Sequence, residues 1–205
     1  MLITDYQYFG SICFIELVYK QDQVYFDKYA PFTKLSFKNR MVILSAQGPL
    51  TLTIPIEGGR DQKTAMKDIR IAYDAPWQAQ HFKAIQTCYK RSPFFEYYEA
   101  ALKKIYTTEK EYLVDFLDSC NEFVKTSLKG KWLLIENNLQ EQNTASKTIL
   151  PWRPNNFAQF SIKNKYQQVF PSPEGFISNL SILDNLFCVG GKEISKQLSA
   201  HLNLQ

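Results

Sequence analysis

Long apolar runs, signal features and blocks of one charge are all missing from this sequence. No window approaches about 18 consecutive apolar residues, the length at which a segment becomes a candidate membrane helix. The first residues, MLITDYQYFG, lack the basic and apolar stretches of a secretory signal. Lysines and arginines are scattered, and the net charge is only +4, which is not the footprint of a nucleic-acid binder. We therefore expect no membrane span, no nucleic-acid partner and a cytoplasmic location.

Motifs for metals and common cofactors are missing too. The four cysteines stand far apart and form no CxxC pair; they are Cys13, Cys88, Cys120 and Cys188. The only two histidines, His81 and His201, are not part of an HExxH motif, and the first turn lacks the GxGxxG fingerprint of a dinucleotide site. We therefore expect no metal, no cofactor and four reduced, unpaired thiols in apolar surroundings.

Aromatic side chains are what the sequence has in excess. Its 205 residues include 15 Phe, 12 Tyr and 3 Trp. Such rings build a core with polar handles, or they line a pocket for a flat or sugar-like ligand. The core interpretation is the commoner one. The length is typical of one domain, and no linker or repeat divides the chain, so we predict a single domain over residues 1–205.

The pattern of apolar residues changes near Pro76. Before it, short or alternating apolar stretches predict strands at residues 2–4, 23–27, 37–44 and 50–56, with a short helix after Ser11. After it, apolar residues at helical spacing predict helices at residues 77–90, 94–106 and 109–128. A further strand near 132–135, a long ordered loop at 149–165 and a last helix through Phe187 follow. The fold class is therefore α/β, with a mixed sheet in the N-terminal part and packed helices after residue 76.

Several local motifs together resemble the WbqC-like family of bacterial proteins, in the version common among the Bacteroidetes. They are YQYFG at 6–10, FKNR at 37–40, LTIPI at 52–56, PWQAQHFKAI at 76–85, SPFFEYY at 92–98 and FISNLSILDNLF at 176–187. The resemblance implies a role in surface-polysaccharide or lipopolysaccharide sugar biosynthesis. Two departures stand out: Gly10 replaces the usual proline of the first turn, and the histidine that many relatives carry is missing at residues 27–29. The second departure would fit a divergent or inactive member.

His81 is the candidate catalytic residue, because histidine moves protons near neutral pH. Asn39 and Arg40 are candidates for orienting an anionic or carbonyl group. The other candidate substrate-binding residues are Gln7, Tyr8 and Trp77. We expect these residues around one cleft, with repulsion from Arg40 keeping the imidazole neutral. The competing interpretation is structural: a helix histidine hydrogen-bonded to a neighbour, an arginine in a surface salt bridge and a turn asparagine.

Two functions from different classes follow from these residues. The first is a transferase that moves an acyl group to an amino sugar, with His81 as the base. The second is a non-catalytic factor that binds a glycan precursor or assists assembly. The expected partner is a small glycan precursor or acyl donor, and the oligomeric state stays open. Near the C-terminus, Asn179 or Ser181 is expected to cap the last helix, with Asp184 in its first turn.

Overall fold

The computed structural model describes residues 1–58, 63–135, 155–159, 165–172 and 175–202. Within these ranges the chain forms six α-helices and five strands. In chain order they are β1 (Leu2–Thr4), α1 (Ile12–Tyr19), β2 (Gln23–Phe26), β3 (Arg40–Ser45), β4 (Gly48–Thr53), α2 (Trp77–Tyr89), α3 (Phe95–Thr107), α4 (Leu113–Leu128), β5 (Leu133–Leu134), α5 (Ile182–Val189) and α6 (Gly191–Leu202). The predicted α/β class is confirmed. Most of the predicted loop at 149–165 lies outside the described residues.

The first, second and fifth strands form a parallel sheet in the order β1-β2-β5. Leu2 lies opposite Val24, and Gln23 lies opposite Leu133. Helix α1 is the connection between the two parallel strands β1 and β2, as parallel pairing requires. Its apolar residues pack into the same core as the buried strands. The turn between β1 and α1 therefore lies at the carboxyl end of β1, the part of such folds where ligands commonly bind.

Strands β3 and β4 form a separate antiparallel hairpin that runs from the pair Arg40–Thr53 to the pair Ser45–Gly48. The predicted mixture of parallel and antiparallel strands is thus divided between two sheets. The third strand begins at Arg40 and not at the predicted Phe37, because the carbonyl of Phe37 accepts the backbone N–H of Tyr8 at 2.8 Å. The residues before β3 therefore bind the first turn.

Helices α2, α3 and α4 pack side by side, α2 on α3 and α3 on α4. The predicted stripe of α2, which includes His81, is buried. The predicted stripe of α4 is buried as well, and it supplies Phe116 and Cys120 to the centre of the core. Helix α4 starts at Leu113, four residues later than predicted. Among the described residues, no helix is long and apolar enough to cross a membrane.

The C-terminal part contains two helices where the sequence predicts one. Helix α5 ends at Val189 and is capped by Gly190, whose backbone has a φ of 84°, a conformation that residues with a Cβ rarely adopt. A Cβ at this position would also lie 2.9 Å from the ring of Phe94. Helix α6 restarts at Gly191 and packs on α4. As predicted, all four cysteines are unpaired.

Candidate functional site

The turn between β1 and α1 holds two of the predicted site residues. The side-chain oxygen of Gln7 accepts the backbone N–H of Ser11 at 3.2 Å, at the start of α1. The backbone N–H of Tyr8 donates to the carbonyl of Phe37 at 2.8 Å. These bonds fix the turn against the helix that follows and against the residues that lead into β3. Gln7 and Tyr8 are both buried.

His81 is joined to this turn through its ring. Its Nδ1 lies 3.0 Å from the hydroxyl of Tyr8, and that hydroxyl also bonds the hydroxyl of Tyr106 on α3. The ring forms a second hydrogen bond with the backbone of Thr53, which raises the histidine pKa as donation to a carbonyl does. A carbonyl can only accept, so the bond to Thr53 requires a proton on the other ring nitrogen; we therefore assign the proton to Nε2, and Nδ1 then accepts the hydroxyl of Tyr8. The neutral ring then has a partner at each nitrogen.

Burial controls the ionisation of this histidine. The pKa of His81 is lowered from 6.5 to about 4, mainly by desolvation, with the bond to Thr53 acting in the opposite direction. The imidazole is therefore neutral at pH 7. Burial accounts for this lowering, so the predicted repulsion from Arg40 is not its cause.

Trp77 lies one helical turn before His81 and belongs to the aromatic core. Its ring makes edge contacts with the rings of His81 and Phe116, each with 5.2 Å between centroids. The side chain is only 2% exposed, and its indole N–H has no hydrogen-bond partner among the described residues. Trp77 therefore packs against the imidazole of His81 inside the core.

Asn39 and Arg40 lie where the chain enters the hairpin. The amide of Asn39 donates to the carbonyl of Ile54 at 2.8 Å, so it holds the two arms of the hairpin together. Arg40 is half-buried and pairs across the strands with Thr53, the residue whose backbone bonds His81. The imidazole therefore contacts the end of the hairpin to which Arg40 belongs.

The structure thus connects the six predicted residues through direct contacts or one intervening residue, but it buries most of them. Five of the six are at most 7% exposed: Gln7, Tyr8, Asn39, Trp77 and His81. The side chain of His81 is only 6% exposed, so a ligand has little access to the imidazole in this arrangement. We call this set, together with Tyr106, the His81 cluster.

Open space is found elsewhere, in a cleft of about 1340 Å³ bordered by α3, α4 and the start of α6. None of the six predicted residues lines it. Its walls include Phe94 and Tyr97, two exposed aromatic residues that the sequence analysis did not single out. The signal was the run SPFFEYY at 92–98, which holds more aromatic rings than one helix face can bury.

Asp184 lies in the first turn of α5, and Ser181 caps that helix, both as predicted. The carboxylate, however, is fully buried. The hydroxyls of Tyr89 and Tyr166 donate to it at 2.7 and 2.5 Å, and the amide of Gln168 lies at 3.4 Å. Burial raises the pKa of Asp184 despite these donors. The cluster fixes residues 165–168 onto α2 and α5.

The cysteines are poor nucleophiles at neutral pH. Burial raises the pKa of Cys13 to about 11 and that of Cys188 to about 12, and it also raises the pKa of Cys88 and Cys120. A thiol reacts as the thiolate, so these groups are unsuited to covalent catalysis. In the described part of the chain, no group of three or more His, Cys, Asp or Glu residues is placed to hold a metal ion.

Fold and cluster together define a small α/β protein whose strand-to-helix turn is fixed to a buried histidine. The chain belongs to the WbqC-like protein family, whose model matches residues 7–150. That range contains the six predicted site residues, whereas the motif at 176–187 lies beyond it. No curated protein and no solved structure matches the chain.

Proposed function

We propose that this protein acts in the cytoplasm in the biosynthesis of a bacterial surface polysaccharide, where it binds a glycan precursor. The family to which the chain belongs supports the pathway. Its four unpaired cysteines fit a reducing compartment. In this proposal the His81 cluster stabilises the fold around the first turn and does not carry out proton transfer.

The observation that carries the proposal is the bonding of the His81 ring. A general base needs a nitrogen lone pair within hydrogen-bond reach of the proton that it removes. In the assigned tautomer the Nδ1 lone pair of His81 accepts the hydroxyl of Tyr8, and the other ring nitrogen donates to the backbone of Thr53. With both nitrogens engaged inside the core, binding is favoured over acid–base chemistry.

A second candidate function is acyl transfer to an amino sugar, with His81 as the base. One observation favours it: burial keeps the imidazole neutral at pH 7, which is the state a base requires. The hydroxyl of Tyr8 would then relay the proton of the attacking amine to Nδ1. For this route the amine must reach Tyr8, which is fully buried.

Binding and transfer can be separated in one experiment. Three compounds are titrated into the protein by calorimetry: UDP-N-acetylglucosamine, a second sugar nucleotide that carries a free amine, and acetyl coenzyme A. Mixtures of the free amine and acetyl coenzyme A are then analysed for acylated product by mass spectrometry. The variant His81→Gln is compared with His201→Gln, which changes the other histidine. Both are checked for folding by circular dichroism.

We expect the protein to bind at least one sugar compound and to form no acylated product. We also expect folded His81→Gln to keep the affinity of the parent within about threefold, well under the loss of a direct contact. Acylated product that disappears in folded His81→Gln but persists in His201→Gln would establish the transferase instead. Absence of binding both to these nucleotides and to saccharides without a nucleotide would contradict the proposed function.

A further inference from the structure

We propose that the cleft between α3, α4 and α6 binds a neutral saccharide, with the ring of Tyr97 as its stacking surface. The inference rests on the proposed function, because it assigns a site and a chemical class to the glycan. Three features of the cleft carry it: exposed aromatic rings held in place, balanced charges and a large volume.

Tyr97 presents an aromatic face to the solvent. Its side chain is 81% exposed, the highest value among the exposed large apolar residues of the described chain. The ring is held edge-on against Tyr98, with 4.9 Å between centroids. Tyr98 is itself fixed, because its hydroxyl accepts the backbone N–H of Gly191 at 2.8 Å. The apolar C–H face of a pyranose ring can pack on the face of such an aromatic ring, while the sugar hydroxyls remain free for polar partners.

Phe94 adds a second ring to the same wall. It is 40% exposed, lines the same cleft and stands immediately before α3, three residues before Tyr97. Its backbone N–H donates to the carbonyl of Phe187 at 3.0 Å, and its ring lies over Gly190. Two exposed rings on one wall form a patch, which is the kind of apolar surface that marks a binding site.

The charges around the cleft are balanced. Among the described lining residues there are four lysines and four carboxylates, which are Lys104, Lys110, Lys129, Lys192, Asp115, Asp118, Glu122 and Glu193. None of these lysines forms an ion pair with a described residue. A polyanion such as a nucleoside diphosphate would meet as much repulsion as attraction here.

Sugar hydroxyls, by contrast, both donate and accept hydrogen bonds, so they can use ammonium groups and carboxylates side by side. The volume of about 1340 Å³ exceeds the roughly 300–1000 Å³ of typical small-ligand pockets. A cleft of this size and composition fits an oligosaccharide better than a single nucleotide.

The test uses an array of bacterial surface saccharides that includes neutral, acidic and phosphorylated members, with UDP-N-acetylglucosamine and UDP titrated separately by calorimetry. Fluorescently labelled parent protein is compared with Tyr97→Ala and with Tyr29→Ala, a tyrosine outside the cleft. Circular dichroism confirms that both variants fold. Saccharides that bind on the array are then titrated in solution.

We expect binding to one or more neutral saccharides, about tenfold or more weaker in Tyr97→Ala and unchanged in Tyr29→Ala. Binding confined to acidic saccharides or nucleotide sugars, or neutral-sugar binding that Tyr97→Ala leaves intact, would overturn the assignment of the cleft while preserving the proposed function. No binding to any sugar compound would overturn both.

Discussion

At the scale of single residues, His81 shows how burial decides what a side chain can do. The ring is held between Tyr8 on the first turn and the backbone of Thr53 in the hairpin. Protonation would give Nδ1 a proton where it now accepts one, and it would place a charge in the aromatic core. The low pKa of this histidine is therefore also a statement about stability.

Stability should fall on acidification because of His81. The pKa of His81 is about 4 in the folded protein and 6.5 in the unfolded chain. Between these two pH values the imidazole is protonated in the unfolded chain and neutral in the folded protein. This contribution is complete above pH 6.5 and is lost as the pH falls towards 4, up to about 3 kcal/mol in total. Urea unfolding of the parent, His81→Gln and His201→Gln at about pH 7.5 and 4.5 measures it.

The difference in unfolding free energy between those two pH values should be smaller in His81→Gln by about 2–3 kcal/mol than in the parent. His201→Gln should respond to pH as the parent does. If all three proteins lose the same stability between the two pH values, His81 does not have the depressed pKa.

The hydroxyl of Tyr8 should stabilise the folded protein more than an ordinary tyrosine hydroxyl does. In Tyr8→Phe, Nδ1 of His81 loses its donor and the hydroxyl of Tyr106 loses its partner inside the core. We expect a loss of about 1–3 kcal/mol in unfolding free energy. Tyr19→Phe is the matched control, because that hydroxyl makes only long, peripheral bonds to α6, and a change below about 0.5 kcal/mol is expected there. Equal losses of unfolding free energy in the two variants would show that the bonds of the Tyr8 hydroxyl to His81 and Tyr106 add no more stability than peripheral bonds do.

At the scale of elements, α4 is the helix that closes the core over the His81 cluster. Phe116 on this helix is fully buried and contacts the rings of Tyr8, Trp77 and Tyr106. Phe116→Ala should therefore cost about 3–5 kcal/mol. Glu122→Ala, on the exposed face of the same helix, should change stability by less than about 0.5 kcal/mol. A loss under about 1 kcal/mol for Phe116→Ala, measured by denaturant unfolding, would mean that the aromatic cluster is loosely packed.

The break between α5 and α6 gives a second prediction at this scale. Gly190→Ala should destabilise the protein by about 1–3 kcal/mol through backbone strain, with an added cost because its Cβ would meet the ring of Phe94. Gly175→Ala is the control, since Gly175 also has a positive φ but a Cβ there would have no atom of the described residues within 4 Å. Thermal unfolding should show the larger loss for Gly190→Ala; equal losses would mean that Phe94 does not press on this position.

Local sequence patterns predicted the helices and strands better than they predicted which elements pair or bond with one another. The stripes of α2 and α4 followed directly from apolar spacing, since each helix buries one face. The later start of β3 depends on a bond between Phe37 and the distant Tyr8. The pairing of β5 with β2 joins residues about a hundred positions apart. Such partners depend on the whole fold, so periodicity could not supply them.

At the scale of the whole molecule, the sequence predicted six candidate residues around one cleft, whereas the structure joins them in a cluster that is mostly buried. The motifs of the first turn, the FKNR segment and α2 do meet. Their burial results from α3 and α4, which place Tyr106 against the ring of His81 and Phe116 against the rings of Tyr8 and Trp77. The cleft could not be predicted either, because its aromatic residues are those that remain exposed after the helices have packed together. Two separate regions follow: a buried cluster that supports the fold and an open cleft that we propose for ligand binding.

The most direct test of this division is the protonation of His81 itself. With only two histidines in the chain, long-range proton–nitrogen NMR spectra of the parent and of His201→Gln assign every imidazole signal. The structure predicts that His81 carries its proton on Nε2 and remains neutral from about pH 8 down to about pH 5. A His81 that titrates near its ordinary pKa of 6.5, or that carries its proton on Nδ1, would contradict the structural role and return the imidazole to the list of candidate bases.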